Sequence, residues 1–197
     1  MSRVRRVRLA VMASGTGSNF LALAQAAREG RLLVEIPVLI CDKPEAKVLG
    51  LADRLGVESV CLPRSDFETR QEMDQAILNE LEKRDIELVA LAGYMRIIGP
   101  PLLNAFQGSI VNIHPSLLPH FPGTNAIQET YEGGQGGVTV HLIDEGVDTG
   151  PILAQQPVHR FEGDTPEAYE SRVHRVEHSF YPMVLQALID QSRTKEK

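Results

Sequence analysis

The chain has 197 residues, of which 43% are hydrophobic, and its formal net charge at pH 7 is −6. This content suffices for one well-buried domain but would be cramped for two. The negative charge argues against nucleic acid or an anionic membrane as the main partner, and no apolar run approaches the roughly 18 residues of a membrane span. Cys41 and Cys61 lack the spacing of a metal or redox motif, so we expect free buried thiols in a reducing cytoplasm.

In the first half of the chain, short apolar runs alternate with segments of helical periodicity. The predicted strands are Val7–Ala13, Glu35–Ile40, Ser59–Leu62 and Glu87–Ala92, and the predicted helices between them are Ser18–Arg28, Glu45–Leu55 and Asp66–Arg84. Ser65 and Glu68 fit a capping box for the third helix, and Gly30 fits a C-terminal stop for the first. The alternation predicts a Rossmann-like α/β fold, with an open, mostly parallel twisted sheet and helices on both faces.

The second half changes character after a predicted strand at Ser109–Ile113. A proline-punctuated loop and a short helix near Thr124–Tyr131 come first, followed by a glycine cluster made of Gly133, Gly134, Gly136 and Gly137. The cluster predicts either an ordinary turn or a mobile flap over a site. The runs Val138–Ile143 and Ile152–Val158 then predict an antiparallel C-terminal extension of the sheet.

A long helix is predicted near the end of the chain. Thr165 fits its N-cap and Pro166 its first position, whereas Pro182 should kink or restart it. Within it, His174-Arg-Val-Glu-His178 matches the H-x-x-E-H pattern of inverted zinc peptidases. No distant third ligand stands out, so we predict no metal site and expect Glu177 to reach a ligand amine or hydroxyl instead.

The first strand runs into the glycine turn Ser14-Gly-Thr-Gly-Ser-Asn19, and a helix follows. Such a turn directs free backbone N–H groups and the positive end of the helix dipole toward an anion. The turn lacks the lysine of a nucleoside-triphosphate loop. A dinucleotide site could use Asp42 at the end of the second strand, but Phe20 stands where the third glycine belongs. We therefore favour a monophosphate site over a dinucleotide site or a non-binding turn.

Asn112 and His114 lie two residues apart at the end of an apolar run, so a strand would direct both side chains to one face. Ligands of open α/β sheets bind beyond that end of the strands. Asp148, in the turn after a later strand, would hold and charge the imidazole, although Asp144 and Asp148 could also be ordinary turn residues. An amide, an imidazole and an acid together suit a reaction in which charge develops on a carbonyl oxygen and a proton moves.

Four segments together resemble a known family. They are Ser14–Asn19, Ala92-Gly-Tyr-Met-Arg-Ile97, Asn112-Ile-His-Pro-Ser-Leu-Leu-Pro119 and Asp148-Thr-Gly-Pro151. They are similar to segments of the folate-dependent formyltransferases of the phosphoribosylglycinamide formyltransferase type, and the resemblance extends from about Val7 to Leu188. It implies transfer of a formyl group from 10-formyltetrahydrofolate, as cosubstrate, to the amine of glycinamide ribonucleotide in de novo purine biosynthesis, without a metal.

The resemblance also implies roles for individual residues. The catalytic residues would be Asn112, His114 and Asp148. The substrate-binding residues would be Gly15, Thr16, Gly17, Ser18, Asn19, His174, Arg175, Val176 and Glu177, with Glu177 near the attacking amine. The folate-binding residues would be Arg70, Met95, Arg96, Ile97, Ile98, Asn112, Asp144, Glu145, Gly146, Val147 and Asp148, with Arg70 at the outer end of the folate. Some members carry a histidine where this chain has Asn125, so no role is transferred to that position.

Other functions stay open on the sequence alone. A formyltetrahydrofolate hydrolase would use the same three catalytic residues with water as acceptor. Such a hydrolase would carry an extra N-terminal domain. A transfer-RNA formyltransferase would carry an extra C-terminal domain, and we expect neither domain here. A nicotinamide dehydrogenase or a non-catalytic ligand-binding module is less consistent with the three residues.

We expect one domain over residues 1–197, with residues 1–100 as the phosphate-binding half and residues 101–197 as the catalytic and folate-binding half. It would act on small molecules in the cytoplasm, as a monomer or homodimer.

Overall fold

A computed structural model describes residues 5–195, so residues 1–4 and 196–197 of the expected domain lie outside the described part. Its strands are β1 (Val7–Ala13), β2 (Val34–Cys41), β3 (Glu58–Cys61), β4 (Leu88–Leu91), β5 (Ile110–His114), β6 (Gly136–Leu142) and β7 (Ile152–Val158). Its α-helices are α1 (Ser18–Arg28), α2 (Lys47–Leu55), α3 (Arg70–Glu82), α4 (Pro100–Ala105), α5 (Ala126–Gly133) and α6 (Pro166–Lys195). Strands and helices alternate through the first half, as the periodicity predicts.

The strands form one sheet in the order β3-β2-β1-β4-β5-β6-β7. Strands β1 to β5 are parallel to one another, whereas β6 is antiparallel to β5 and β7 is antiparallel to β6. This arrangement confirms the predicted mostly parallel sheet and its antiparallel extension. The chain leaves β1 toward β2 on one side and later returns to β4 on the other. A crevice therefore opens between the carboxyl ends of β1 and β4, where α/β sheets bind ligands.

Helices cover both faces of the sheet. One apolar cluster joins α1, α2, α5 and α6 to the sheet, and a second joins α3 and α4 to the opposite face. Tyr181, fully buried in α6, donates its hydroxyl to the main-chain oxygens of Leu91 at 3.1 Å and Val111 at 2.9 Å. This contact fixes α6 against β4 and β5, the two central strands that lead into the crevice.

The start of α3 differs from the prediction. The capping box uses Thr69 and Glu72 rather than Ser65 and Glu68: the Thr69 hydroxyl accepts the Glu72 N–H at 3.1 Å. Arg64–Asp66 forms a separate 3₁₀ turn, and Phe67 is extended. The extended backbone packs the Phe67 side chain against the apolar cluster beneath α3. Because of this packing, α3 begins at Arg70, four residues later than predicted, and uses Thr69 and Glu72 as its capping box.

Of the two outcomes predicted for Pro182, a kink or a restart, the restart is wrong, because α6 continues from Pro166 to Lys195. A proline inside a helix costs about 3 kcal/mol. The neighbouring Tyr181 and Leu185 are fully buried against the sheet, and their packing offsets this cost. At the N-terminus, the Thr165 hydroxyl accepts the Ala168 N–H at 3.2 Å, which confirms the predicted cap.

The glycine cluster spans the end of α5, a short connection and the start of β6. Gly133 ends α5, Gly134 has a φ of +74°, and Gly136 and Gly137 already belong to β6. A Cβ at Gly136 would collide with the Tyr169 hydroxyl. Glycine is therefore required there so that the strand can approach α6 closely.

Three smaller findings complete the fold. Helix α4 was not predicted, because it spans only six residues and begins with two prolines. Cys41 is buried, Cys61 is only partly buried, and both are free thiols. No helix within residues 5–195 combines the length and apolar character needed to cross a membrane.

Candidate active site

A cavity of about 820 Å³ opens at the carboxyl ends of β1, β4 and β5. Its walls are the glycine turn after β1, the loop after β4, the end of β5, the turn between β6 and β7, and parts of α5 and α6. The site residues expected from the sequence that line it are Gly15, Thr16, Gly17, Ser18, Asn19, Met95, Arg96, Ile97, Ile98, Asn112, His114, Asp144, Gly146, Val147, Asp148, His174 and Glu177. Segments far apart in the chain therefore share one cavity.

Four of the expected site residues are not on the cavity wall: Arg70, Glu145, Arg175 and Val176. Arg175 and Val176 follow His174 on α6, and helical geometry turns them away from the face that His174 shares with Glu177. Arg70 is the exposed first residue of α3. Only a ligand that extends out of the cavity could contact it.

The imidazole of His114 lies next to the carboxylate of Asp148, with 3.4 Å between Nδ1 and Oδ2. His114 is supplied by the end of β5, and Asp148 by the turn before β7, where it has a φ of +55°. The Gly123 N–H donates to the same Asp148 oxygen at 2.9 Å. This hydrogen bond holds the carboxylate in place although its backbone conformation is uncommon for a non-glycine residue.

Both ring nitrogens of His114 face acceptors. Its Nε2 lies 2.8 Å from the main-chain oxygen of Phe121 and therefore carries a proton, while Nδ1 faces Asp148. His114 is 4% exposed, so water does not compete strongly for these contacts. The arrangement fixes the orientation of the ring between two acceptors.

The environment also favours the ionised form of Asp148. Burial opposes ionisation, but nearby donors that include the Gly123 N–H outweigh it and lower the pKa of the carboxyl below its usual value. The ionised carboxylate therefore places a negative charge beside the His114 ring at the cavity wall.

His141 is a site residue that the sequence analysis missed. It is fully buried in β6, and its Nε2 lies 3.2 Å from Asn112 Nδ2 and 3.5 Å from Asp148 Oδ1. It is the register partner of Asn112 across the antiparallel pair β5–β6. The alternation Val138-Thr-Val-His-Leu142 places His141 on the face opposite the buried valines. This alternation is the sequence feature that could have identified His141 as a candidate site residue.

The glycine turn has the features of an anion site. Gly17, with a φ of +83°, is the N-cap of α1, and no side chain caps this helix end. The first N–H groups of α1 are therefore left for a ligand at the cavity wall. A Cβ at Gly17 would also collide with the side chain of Val48, which explains the glycine.

A polar cluster joins α1 to α6 at the same end of the cavity. The Glu177 Oε2 atom accepts from Asn19 Nδ2 at 3.1 Å and from His174 Nδ1 at 2.8 Å. Glu177 is 3% exposed. The hydrogen bond that His174 donates to Glu177 raises the pKa of His174 above its usual value, against the opposing effect of burial. A positive charge is thereby stabilised beside the glycine turn.

The loop after β4 provides an apolar wall. Met95 and Ile97 expose 61% and 53% of their surface, and Val147 faces the same cavity with 53% exposed. The loop is held by the Ser14 hydroxyl, which accepts the Met95 N–H at 2.9 Å. Exposed apolar side chains in a cavity wall suit a flat, partly apolar ring.

Asp42 does not line the cavity. Its carboxylate is bound to Arg96, with 2.6 Å between Oδ2 and Nε. It is therefore engaged by the protein and is not available to a ribose, which argues against the dinucleotide site. Within the described part of the chain, no group of three or more His, Cys, Asp or Glu side chains is arranged to hold a metal ion.

Further cavity residues were not expected from the sequence. Several of them lie just before α5, on α5 and at the start of α6: Thr124, Asn125, Ile127, Gln128, Tyr131, Glu132, Pro166 and Glu170. On α5 these residues recur at helical spacing on one face. The sequence alone does not show whether such a face borders solvent or a cavity, so it did not predict their place in the site.

Comparison with known proteins agrees with this geometry. The family model described as formyl transferase matches residues 7–185. A phosphoribosylglycinamide formyltransferase of Bacillus subtilis is 44% identical over 192 residues, covering 96% of this chain and 98% of the relative. The human trifunctional purine biosynthetic protein adenosine-3 is 39% identical over 92% of this chain, which spans 18% of that protein. The structure of glycinamide ribonucleotide transformylase 1 from Geobacillus kaustophilus is similar with a TM-score of 0.90 and 50% identity, covering 93% of this chain and 98% of that one.

Proposed function

This chain belongs to the formyl transferase family, and we propose that its cavity transfers the formyl group of 10-formyltetrahydrofolate to the amine of glycinamide ribonucleotide. The activity class is that of a phosphoribosylglycinamide formyltransferase in purine biosynthesis, since relatives over nearly the whole chain carry that name. The same relatives argue against a hydrolase. The proposal concerns the cosubstrate and the roles of individual residues.

One observation carries the proposal: an anion-binding turn and the group Asn112, His114 and Asp148 face the same cavity. The turn at Gly15–Asn19 suits the phosphate of the substrate, because its N–H groups and the α1 dipole favour an anion. The three side chains suit the formyl carbonyl, on which negative charge develops. A substrate with both a phosphate and an acyl-accepting amine matches both ends of the cavity.

At the phosphate end, His174 adds a positive charge, and Glu177 lies beside it on the cavity wall. We assign Glu177 to the ribose or to the attacking amine, which it would hold by accepting a hydrogen bond. Arg175 and Val176 would act only by placing these two residues.

At the other end, residues 95–98 and the turn 144–148 form the wall that would receive the folate ring. Met95, Ile97 and Val147 supply apolar surface, and the backbone beside them supplies donors and acceptors. Arg70 and Glu145 lie beyond this wall. We assign Arg70 to the outer, acidic end of the cosubstrate, outside the cavity.

The chemistry follows from the charges in the site. The neutral amine forms a bond to the formyl carbon, and the carbonyl oxygen becomes negatively charged. His114 and Asn112 would donate hydrogen bonds to that oxygen. To do so through Nε2, His114 must release the Phe121 carbonyl that its proton now contacts. The carbon–nitrogen bond to the folate then breaks, and a proton from the amine reaches the leaving nitrogen through His114 or water.

The same proposal includes the arrangement of the whole chain. Residues 1–197 form one domain, in which residues 1–100 contribute the phosphate turn and residues 101–197 the three catalytic side chains. The assignment to purine biosynthesis supports a cytoplasmic location.

A direct assay tests this function. Purified protein is incubated with 10-formyltetrahydrofolate, with and without glycinamide ribonucleotide, and tetrahydrofolate release is followed. Release that requires the amine supports the transferase. Release at the same rate without the amine, or no release in either case, would overturn the proposal.

A further inference from the structure

We infer that His141 is a positioning residue that fixes the orientation of the Asn112 amide, so that an N–H rather than the amide oxygen serves the reacting carbonyl. The kinetic part of this inference rests on the proposed formyl transfer. Its structural part concerns a hydrogen bond between two side chains and holds whichever acyl group is transferred.

The sheet places the two residues together. Asn112 on β5 and His141 on β6 are direct register partners of an antiparallel pair, so their side chains lie on the same face. Asn112 borders the cavity, whereas His141 lies behind it with no exposed surface. His141 therefore cannot contact the substrate, and any effect on the reaction must pass through a neighbour.

The hydrogen bonds of His141 determine which of its nitrogens carries the proton. Its Nδ1 lies 2.9 Å from the main-chain oxygen of Leu142, and a carbonyl oxygen only accepts, so Nδ1 is protonated. Its Nε2 lies 3.2 Å from Asn112 Nδ2, and an amide nitrogen only donates, so Nε2 is the acceptor. The pair is satisfied by a neutral imidazole with its proton on Nδ1.

Asp148 is the charged group that faces the same nitrogen. The distance from His141 Nε2 to Asp148 Oδ1 is 3.5 Å, longer than the 3.2 Å to Asn112. The Gly123 N–H and His114 Nδ1 both face the other carboxylate oxygen, Oδ2. The shorter contact therefore assigns the lone pair of Nε2 to Asn112.

This assignment has a consequence for the cavity. One N–H of Asn112 is engaged by His141, which holds the nitrogen side of the amide in place and keeps its second N–H for a ligand. Without the acceptor, the amide can rotate by about 180° and exchange its nitrogen and oxygen. An amide oxygen in that position would repel a developing negative charge, so the transition state would lose one donor.

Kinetics of substituted enzymes tests the role. His141→Phe keeps a planar ring but removes the acceptor, and we expect kcat to fall roughly 10- to 100-fold with both KM values nearly unchanged. His141→Gln, whose side-chain oxygen can accept from Asn112, should recover most of the lost kcat. His159→Phe, an exposed histidine at the end of β7, is the matched control and should behave as the wild type.

A double substitution separates positioning from general damage to the structure. In an Asn112→Ala background, His141→Phe should cause no further loss of kcat, because the residue through which it acts is absent. Independent losses that multiply, or a loss in His141→Gln equal to that in His141→Phe, would overturn the inference.

A spectroscopic measurement does not depend on turnover or on the folding of a variant. In the ¹⁵N-histidine-labelled wild-type enzyme near pH 7.5, Nδ1 of His141 should show the shift of a protonated nitrogen and Nε2 that of an unprotonated one. A proton on Nε2 would overturn the assignment. If this tautomer is found but no formyl transfer occurs in any assay, the proposed function fails while the hydrogen-bond assignment stands.

Discussion

Arg96 and Asp42 join the loop after β4 to the end of β2, with 2.6 Å between Arg96 Nε and Asp42 Oδ2. Asp42 is 3% exposed, so the loop carries its charged residue to a fixed, nearly buried partner. Ser14 provides a second anchor, because its hydroxyl accepts the Met95 N–H. Together these contacts hold the apolar wall of the cavity in one position.

Removal of the first anchor should therefore weaken folate binding. We expect Asp42→Ala to raise KM for 10-formyltetrahydrofolate about tenfold, with kcat and KM for glycinamide ribonucleotide little changed, because only the loop loses its support. Steady-state kinetics with each substrate varied separately measures the effect. Glu35→Ala is the control: it removes an ion pair of 3.0 Å with Arg8 at the other end of β2. A fall in kcat without a change in KM would contradict the predicted role of Asp42.

The ion pair of His114 with Asp148 leads to a prediction on turnover. Asp148→Asn removes the negative charge beside the His114 ring, so we expect kcat to fall roughly 10²- to 10³-fold with little change in either KM. His114→Ala should cause a loss of the same order. Asp53→Asn, an exposed aspartate on α2, is the control and should leave turnover unchanged. Turnover near that of the wild type in Asp148→Asn would exclude the assigned role.

The elements of the fold were largely predictable because the signals that define them are local. Strands β1 and β7 and helix α1 have the predicted ends, since apolar periodicity and a glycine turn mark them directly. The start of α3 was not predicted correctly, because Ser65 and Thr69 are two similar candidates for its N-cap. The packing of Phe67, a tertiary effect, decides between them.

Prediction of the candidate site was limited in the same way, by contacts between distant parts of the chain. Asn112 and His114 were recognisable because they lie two residues apart in one strand. His141 lies 29 residues further on, and only the register of β5 with β6 brings it to Asn112. A local pattern does not specify a register between distant strands, so the sequence did not connect His141 with the site.

The charge of His174 should make substrate binding depend on pH. Its pKa is raised by the hydrogen bond with Glu177, although burial acts in the opposite direction. A raised folded-state pKa means that the stabilisation from the proton is fully present below the usual value of 6.5 and is lost as the pH rises through the raised value. The positive charge next to the phosphate turn disappears over the same range.

We therefore expect KM for glycinamide ribonucleotide to increase on the alkaline side of neutrality in the wild type. In His174→Gln, KM should be higher and should lack this increase. The difference in melting temperature between the two proteins should be largest below pH 6.5 and should shrink as the pH rises. His159→Gln serves as the control with an exposed histidine. A wild-type KM that is independent of pH would count against a charged His174 at the phosphate.

Two buried tyrosines of α6 provide a matched test of the packing that supports the site. The Tyr181 hydroxyl donates to the main-chain oxygens of Leu91 and Val111, whereas the buried Tyr169 hydroxyl has no hydrogen-bond partner among the described residues. Tyr181→Phe should reduce the free energy of unfolding by about 1–3 kcal/mol, since it removes a satisfied hydrogen bond. Tyr169→Phe should be neutral or slightly stabilising, because it removes a buried polar atom without a partner. Urea denaturation of both variants measures the two changes, and equal losses would show that the hydroxyl contacts do not determine them.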